Sequence, residues 1–313
     1  MNLSRFTTLL SSLATQPGYT LMRGVARFSS VRKLIAGTRN TLLNARTNEY
    51  LVDCEEHVAE SLFPNLDRTD FVEHLREEGV SFGLTLPKEV VDEIRAWADQ
   101  QPCYADRDPV LGFRVGERAA AEQRLGKPIL LAQYFNTTTE CPAIGRLAAD
   151  PVLRWIAASY LGSLPTFVGA NLWWTFPVLA CEADREKHAH VYHRDVDDFR
   201  FFKFFFYLTD VPAGEGAHFC VVASHSHPPQ LRAGDRWNIR RYSDEEIAST
   251  YPSNLIREIC GDAGTGFAEN TLCIHKGSTP KHKARLLLQL QFALFDYGAM
   301  HDRREPQALV QIV

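Results

Sequence analysis

The spacing of hydrophobic residues changes after Gly162. Before that residue, apolar side chains recur at helical intervals, which predicts helices that begin at Asp67, after Pro87 and at Asp150. After it, short runs rich in β-branched and aromatic residues are separated by Gly, Pro and Asp, which is typical of strands. With one early strand included, the predicted strands cover residues 80–86, 167–176, 190–193, 201–208, 217–223, 272–275 and 285–295.

This order of elements predicts an α+β protein with a mainly β core, either a sandwich, a barrel or a jelly roll. Residues 102–128 mix Pro, Gly and charge without a clear period, and we expect a loop around a short helix there. Ser243 and the acidic residues after it form a capping box that opens a brief helix. We place one domain at residues 67–313, after an extension at residues 1–66.

The extension has an unusual charge pattern, because residues 1–48 contain seven basic residues and no Asp or Glu. That composition fits a mitochondrial presequence. It also fits a basic arm that docks on the helices of the domain or joins a homodimer. The two alternatives stay open, and the second corresponds to a cytoplasmic protein.

Composition excludes several classes of protein. The chain has 313 residues, 45% of them hydrophobic, which is enough for one large core. The net charge of −4 does not indicate a nucleic-acid partner. Seven scattered cysteines without a C-x-x-C pair indicate reduced thiols rather than disulfides or a zinc knuckle. No apolar run approaches the roughly 20 residues that span a bilayer.

His193 and Asp195 are separated by one residue in a predicted strand. Side chains alternate between the faces of a strand, so this imidazole and carboxylate should share a face and could hold one metal ion. His275, at the end of the apolar run 271–274, is the best candidate for a third ligand. Two histidines and one carboxylate form a facial triad that leaves positions on iron(II) open for a cosubstrate and O₂.

The H-x-D pair, the 79 residues between Asp195 and His275, and Arg285 ten positions after that histidine resemble the phytanoyl-CoA dioxygenase-like family. The members of this family are iron(II)- and 2-oxoglutarate-dependent oxygenases. The resemblance implies a double-stranded β-helix, a cupin-like jelly roll, with N-terminal and flanking helices. It covers residues 68–296, and its segments are 78–80, 192–195, 207–211, 222–225 and 275–285.

The resemblance also implies roles for residues around the metal. The guanidinium of Arg285 would bind the distal carboxylate of 2-oxoglutarate in a bidentate fork. Ser278 could add a hydroxyl to the same carboxylate, and Asn171 could reach the other end of the cosubstrate. The chain departs from the family where Glu269 begins a Glu-Asn-Thr run in place of the expected Asp-Thr pair, outside the ligand set. A second departure, the stretch 180–187, lengthens the approach to the metal strand.

Other residues near these motifs have more ordinary interpretations. The aromatic run 201–207 is apolar on both faces, so its strand should be central and buried, with Lys203 either facing the substrate or facing solvent. Trp173 and Trp174 must face opposite ways, and one of them can line the active-site mouth. The remaining predictions are that His190 lines the pocket and that His225 and His227 are structural.

The expected function is an iron(II)- and 2-oxoglutarate-dependent dioxygenase that uses O₂ to hydroxylate a small-molecule metabolite. Related halogenases have a small residue in place of the carboxylate, so Asp195 favours hydroxylation. Desaturation, epimerisation and cyclisation stay open. One alternative is a catalytically silent jelly-roll protein that binds a metal or ligand, and another is a cupin enzyme with manganese or zinc. No segment of the sequence indicates a particular substrate.

Overall fold

The computed structural model describes residues 15–226, 240–299 and 302–313. Within these ranges, helices precede the longest strands, as the hydrophobic pattern predicts. The helices are α1 (Pro17–Val25), α2 (Ser29–Glu56), α3 (Arg68–Glu77), α4 (Lys88–Gln100), α5 (Arg118–Leu125), α6 (Thr137–Glu140), α7 (Pro142–Ala148), α8 (Pro151–Leu161), α9 (Glu182–Lys187) and α10 (Asp244–Thr250).

Eleven strands are found in the described part of the chain, and every pairing between them is antiparallel. They are β1 (Val80–Thr85), β2 (Pro102–Ala105), β3 (Gly112–Arg114), β4 (Leu131–Gln133), β5 (Thr166–Thr175), β6 (Phe201–Tyr207), β7 (His218–Val221), β8 (Ile256–Ile259), β9 (Thr265–Glu269), β10 (His275–Gly277) and β11 (Arg285–Ala293).

The strands form two sheets. The major sheet has the order β1-β9-β6-β11-β5-β4-β2-β3, and the minor sheet has the order β10-β7-β8. An apolar cluster joins them, with Phe205 and Tyr207 from the major sheet packed with Cys220 and Ile259 from the minor sheet. The predicted mainly β, jelly-roll core with flanking helices is confirmed, although the two sheets do not close into one barrel.

Strand β6 shows how the sequence assigns the two faces of the major sheet. Phe202, Phe204 and Phe206 point outward into the larger apolar core, which also contains helix residues such as Ile156. Burial of each of these side chains contributes about 2–3 kcal/mol. The alternate residues of β6 face the minor sheet, among them Lys203. The expectation of a central, buried strand is confirmed, since β6 lies between β9 and β11 and is buried throughout.

Local capping signals predicted the helix starts well. The carboxylate of Asp67 accepts a hydrogen bond from a first-turn amide of α3, and Asp150 accepts two from α8. Ser243 forms the expected capping box of α10. Helix α8 ends at Gly162, whose φ of 61° is left-handed and favours glycine.

Three predictions about strands were wrong. Residues 102–128 contain α5 as expected, but also β2 and β3, which extend the major sheet through β4. Residues 190–193 form isolated bridges rather than a strand. The apolar run 272–275 is mostly a turn, and its strand begins only at His275. Other pairing partners, β4 for β2 and His275 for His193, are distant in sequence, and a local pattern contains no information about them.

Helix α2 packs against the domain. Nε of Arg154 on α8 donates to the Tyr50 hydroxyl at 2.8 Å, and the indole of Trp155 donates to Glu55 at 3.1 Å. Ala36 is buried in the main core. No described helix combines the length and apolar character needed to cross a membrane. A domain boundary at residue 66 stays a prediction, and so does a role for the extension as a presequence or in a dimer.

Removal of residues 1–56 tests the importance of this packing. We expect the shortened protein to unfold at a temperature lower by roughly 5 °C or more, because several kcal/mol of apolar burial on α8 is lost. Thermal unfolding followed by circular dichroism measures the difference. The matched variant Tyr50→Phe, which deletes only one hydroxyl, should lose about 1 kcal/mol. A shortened protein that stays soluble and unfolds with the full-length chain would show that the extension is dispensable.

Candidate active site

The three predicted metal ligands lie side by side. His193, Asp195 and His275 offer ligand atoms that are all within 4.8 Å of one another. Nε2 of His193 is 3.5 Å from Oδ1 of Asp195, and Nε2 of His275 is 3.6 Å from Oδ2. Ligands of one ion at about 2.1 Å lie roughly 3 Å apart, so a small closure would complete the site.

A backbone bridge, rather than alternation along a strand, brings the ligands together. The amide of His193 donates to the carbonyl of His275 at 2.9 Å, and the reverse bond measures 3.0 Å. The amide of Asp195 donates to the carbonyl of Thr271 at 2.9 Å. The irregular chain that carries His193 and Asp195 is therefore fixed against the first residue of β10 and the turn before it.

The backbone also sets the tautomer of both imidazoles. Nδ1 of His193 lies 2.9 Å from the carbonyl of Val191, and Nδ1 of His275 lies 2.9 Å from the carbonyl of Cys273. Each Nδ1 must donate to its carbonyl, so each Nε2 keeps its lone pair for a metal. Burial and the neighbouring His275 lower the pKa of His193 to about 3, which keeps this ring neutral.

A buried ammonium holds the carboxylate ligand. Nζ of Lys203 is 2.7 Å from Oδ2 of Asp195 and 3.0 Å from Oδ2 of Asp197. Burial alone would raise the pKa of Asp195, but Lys203 and the two histidines outweigh it and hold that pKa well below its ordinary value. The Tyr19 hydroxyl, on α1, donates to Asp197 at 3.2 Å and extends the network to the N-terminal helices.

The ligands open into a cavity of about 370 Å³ between the two sheets. That volume suits a small molecule. Among the described residues, its wall contains four cationic side chains and one carboxylate, that of Asp195. The cationic residues are Arg107, Lys203, Arg285 and Arg304.

Of the three residues expected to bind a cosubstrate, two line the cavity and one does not. Arg285 and Asn171 line the cavity, and the amide nitrogen of Gln133 donates to Oδ1 of Asn171 at 2.9 Å. Ser278 is not among the lining residues, and its hydroxyl donates to the carbonyl of Ala217 at 2.8 Å. A contact between Ser278 and a cosubstrate stays a prediction.

The other sequence expectations near the cavity are largely met. Trp173 lines the cavity, whereas Trp174 faces the outer core and donates to the Tyr134 hydroxyl. His190 lines the cavity, with Nδ1 2.9 Å from the Thr279 hydroxyl oxygen. His225 lies 3.3 Å from the sulfur of Cys273, in a structural contact. His227 lies outside the described residues.

Sequence reasoning missed a buried pair beside the ligands. Nε2 of His218 lies 2.6 Å from Oε2 of Glu269, and the ring of His218 stacks on that of His275 with centroids 5.5 Å apart. Burial raises the pKa of Glu269 to about 8, while burial and Arg285 lower that of His218 to about 3. At neutral pH the pair therefore consists of a carboxylic acid that donates to a neutral imidazole.

The only sequence signal for this pair was the departure at Glu269, where the family resemblance leads one to expect an Asp-Thr pair. The structure places Glu269 opposite Lys203 in the register of β9 and β6. Its Oε1 has no hydrogen-bond partner among the described residues. This buried acid thus lies behind the wall of the site, where it contacts His218.

No protein-family model matches the chain, and no curated protein matches it. Solved structures similar to it include the epimerase SnoN with Fe³⁺, α-ketoglutarate and nogalamycin RO, at 15% identity and a TM-score of 0.49, covering 72% of this chain and 82% of that one. HygX from Streptomyces hygroscopicus with nickel, 2-oxoglutarate and hygromycin B is similar at 15% identity and a TM-score of 0.48. The match covers 73% of this chain and 88% of that one.

AviO1 from Streptomyces viridochromogenes Tue57 is similar at 15% identity and a TM-score of 0.48, over 73% of this chain and 96% of that one. SnoN is a non-heme α-ketoglutarate-dependent epimerase from nogalamycin biosynthesis.

The protonation of Glu269 has a measurable consequence for stability. A pKa of about 8 in the folded protein, against 4.5 ordinarily, means that the folded state keeps a proton that the unfolded chain loses. The contribution of Glu269 to the free energy of unfolding of the wild type is thus complete below about pH 4.5, and it is lost as the pH rises towards 8. Glu269→Gln keeps a donor for His218 and cannot ionise.

We therefore expect metal-free Glu269→Gln to unfold within about 1 kcal/mol of wild type near pH 5, and to gain stability relative to wild type as pH rises to about 8. Thermal melts across this range measure the difference. Glu73→Gln, on the exposed face of α3, is the surface control and should show no such trend. If the stability difference between Glu269→Gln and the wild type did not change with pH, the carboxyl of Glu269 would be ionised in the folded protein.

Proposed function

We propose that this protein is an iron(II)- and 2-oxoglutarate-dependent dioxygenase that hydroxylates a small-molecule metabolite. One observation supports the proposal above the others. A two-histidine, one-carboxylate cluster and a buried guanidinium without a carboxylate partner, that of Arg285, face the same cavity.

The donor set fits iron(II). Both imidazoles are held in the tautomer that leaves Nε2 free, and Asp195 contributes a carboxylate with one oxygen fixed by Lys203. Three protein ligands leave further positions for small molecules, which is the pattern of non-heme iron oxygenases. A structural zinc site would need a fourth protein ligand, and the cluster found among the described residues has three.

Arg285 fits the carboxylate of a cosubstrate. It is buried at the start of β11, where it donates to the carbonyl of Gly216 and, at 3.0 Å, to the hydroxyl of Thr175. Both partners are neutral, and its Nε has no hydrogen-bond partner among the described residues. A buried, unpaired cation costs several kcal/mol, so an anionic ligand here would be strongly favoured. The silent-binding alternative would not require this charge.

When bound, iron(II) with 2-oxoglutarate and O₂ supplies the oxidising chemistry: one oxygen atom goes to a C–H bond of the substrate, and the other leaves in succinate together with CO₂. The protein's contribution is to bind, orient and exclude water. Arg285 anchors the cosubstrate, while the β-sheet floor formed by Phe205 and Leu287 keeps the reacting region dry. Lys203 keeps Asp195 ionised and oriented.

Anaerobic titration with Fe(II) and then 2-oxoglutarate tests the proposal. We expect a weak visible absorption band from the chelated cosubstrate in the wild type, and none in His275→Ala, which lacks a ligand. Arg285→Gln should weaken 2-oxoglutarate binding by roughly 10- to 100-fold, because it removes a charge-assisted fork, and Arg285→Lys should lie between. Ser278→Ala and Asn171→Ala report on the two remaining predicted contacts.

Arg124→Gln, on the exposed side of α5, removes the same charge from the surface and should bind 2-oxoglutarate as the wild type does. Iron binding without the absorption band in the wild type would contradict the cosubstrate assignment. In that case the alternative of a metal-binding jelly-roll protein would replace it.

A further inference from the structure

Arg107 enters the cavity from a strained turn after β2. Its φ is 62° and that of Asp106 is 57°, so two consecutive residues with side chains occupy the left-handed region. Aspartate adopts this conformation more readily than most residues, but it is unfavourable for arginine and persists where surrounding contacts enforce it. Here the amide of Asp106 donates to the carbonyl of Leu131 at 2.9 Å, and that of Arg107 to Tyr104 at 3.3 Å.

The neighbouring carboxylate does not neutralise Arg107. Asp106 is engaged with Lys127 at 2.6 Å, with Lys187 at 3.2 Å and with His188 at 3.1 Å. The guanidinium of Arg107 has no hydrogen bond or ion pair with any described residue. Asp106 thus fixes the turn, while the charge that follows it is left unpaired.

The side chain of Arg107 extends into the cavity rather than into solvent at large. It keeps a large accessible surface and lines the cavity wall. Yet enough protein surrounds it that burial lowers the pKa of its guanidinium, despite the attraction of Asp195. The accessible surface and the lowered pKa are both explained if the guanidinium of Arg107 projects into the cavity.

A second guanidinium lies on the same side. Arg304 also lines the cavity and stacks over the ring of Phe135, with 4.7 Å between Cζ and the ring centroid. Phe135 follows β4, and the centroid of its ring lies 5.1 Å from that of Tyr104 on β2. Arg285, in contrast, is on β11, which is separated from β2 by three strand spacings, or about 14 Å. The backbone segments that carry Arg107 and Arg285 are therefore well separated, and Arg107 with Arg304 forms a second cationic region of the cavity wall.

We propose that Arg107, together with Arg304, binds an anionic oxygen group of the substrate, a carboxylate, phosphate or sulfate. This inference rests on the proposed function, because it assigns Arg285 to the cosubstrate and leaves the second region for the substrate. A guanidinium offers paired N–H donors that match such groups. Arg107 is the specificity-determining residue in this assignment, and Arg304 adds charge.

The test uses the full-length protein loaded with Ni(II) and saturating 2-oxoglutarate. Isothermal titration measures the affinities of phenyl phosphate and benzoate, with benzyl alcohol as the uncharged probe. We expect at least one anion to bind and benzyl alcohol to bind at least tenfold more weakly. Arg107→Gln should lose at least tenfold in anion affinity, Arg107→Lys should lose less, and Arg124→Gln should match the wild type.

A stability readout separates a binding role from a structural one. Arg107→Gly relieves the left-handed φ and removes an unpaired charge from the cavity wall, so it should unfold at the wild-type temperature or higher while it loses anion binding. A structural arginine would instead lower the unfolding temperature on removal. Equal anion affinity in Arg107→Gln, or equal affinity for benzyl alcohol in the wild type, would overturn the inference.

Arg285→Gln distinguishes failure of this inference from failure of the proposed function. It should weaken 2-oxoglutarate binding and spare the anion, while Arg107→Gln should do the reverse. If phenyl phosphate instead depends on Arg285 alone, the inference fails and the proposed function stands. If 2-oxoglutarate does not bind the wild type, the proposed function fails, and Arg107-dependent anion binding would then mark a binding site rather than a substrate site.

Discussion

The ion pair between Lys203 and Asp195 is the interaction on which the candidate site depends. Both groups are enclosed between the sheets, and their 2.7 Å contact offsets a desolvation penalty of several kcal/mol for each charge. Loss of either partner would leave the other charge buried and unpaired, at a cost of about 3–5 kcal/mol. The pair persists because β6, which carries Lys203, is buried at every position and cannot easily move away.

That constraint extends across the major sheet on either side of Lys203. In the strand register, Lys203 lies between Glu269 on β9 and Gln291 on β11, so three polar side chains form one row across the major sheet. The next row, built around Phe205, is mostly apolar and faces the minor sheet. One face of the sheet thus combines charges that hold the ligands with an apolar surface that excludes water, while the opposite face is wholly core.

The sequence predicted features whose chemistry is local. Helix starts such as Asp150 depend on neighbours within one turn, and the ligand set follows from the donor atoms that iron requires. Features set by distant pairing were not predictable. The bridge between His193 and His275 replaces the expected strand, and Glu269 is indistinguishable in sequence from a surface acid until the register of β9 buries it. The left-handed φ of Arg107 likewise has no signal, because the residue is not a glycine.

The arrangement of charge suggests why the cavity tolerates an excess of cations. Lys203 is balanced by Asp195 and Asp197, whereas the guanidinium of Arg285 contacts only neutral oxygens, and that of Arg107 has no polar partner among the described residues. An unpaired buried charge such as that of Arg285 destabilises a folded protein, and Arg107 adds a second unpaired charge to the wall of the same cavity. Ligands that supply the missing anions explain both charges. Strain at residues 106 and 107 adds to that cost, and a protein retains such a combination where binding, rather than folding, depends on it.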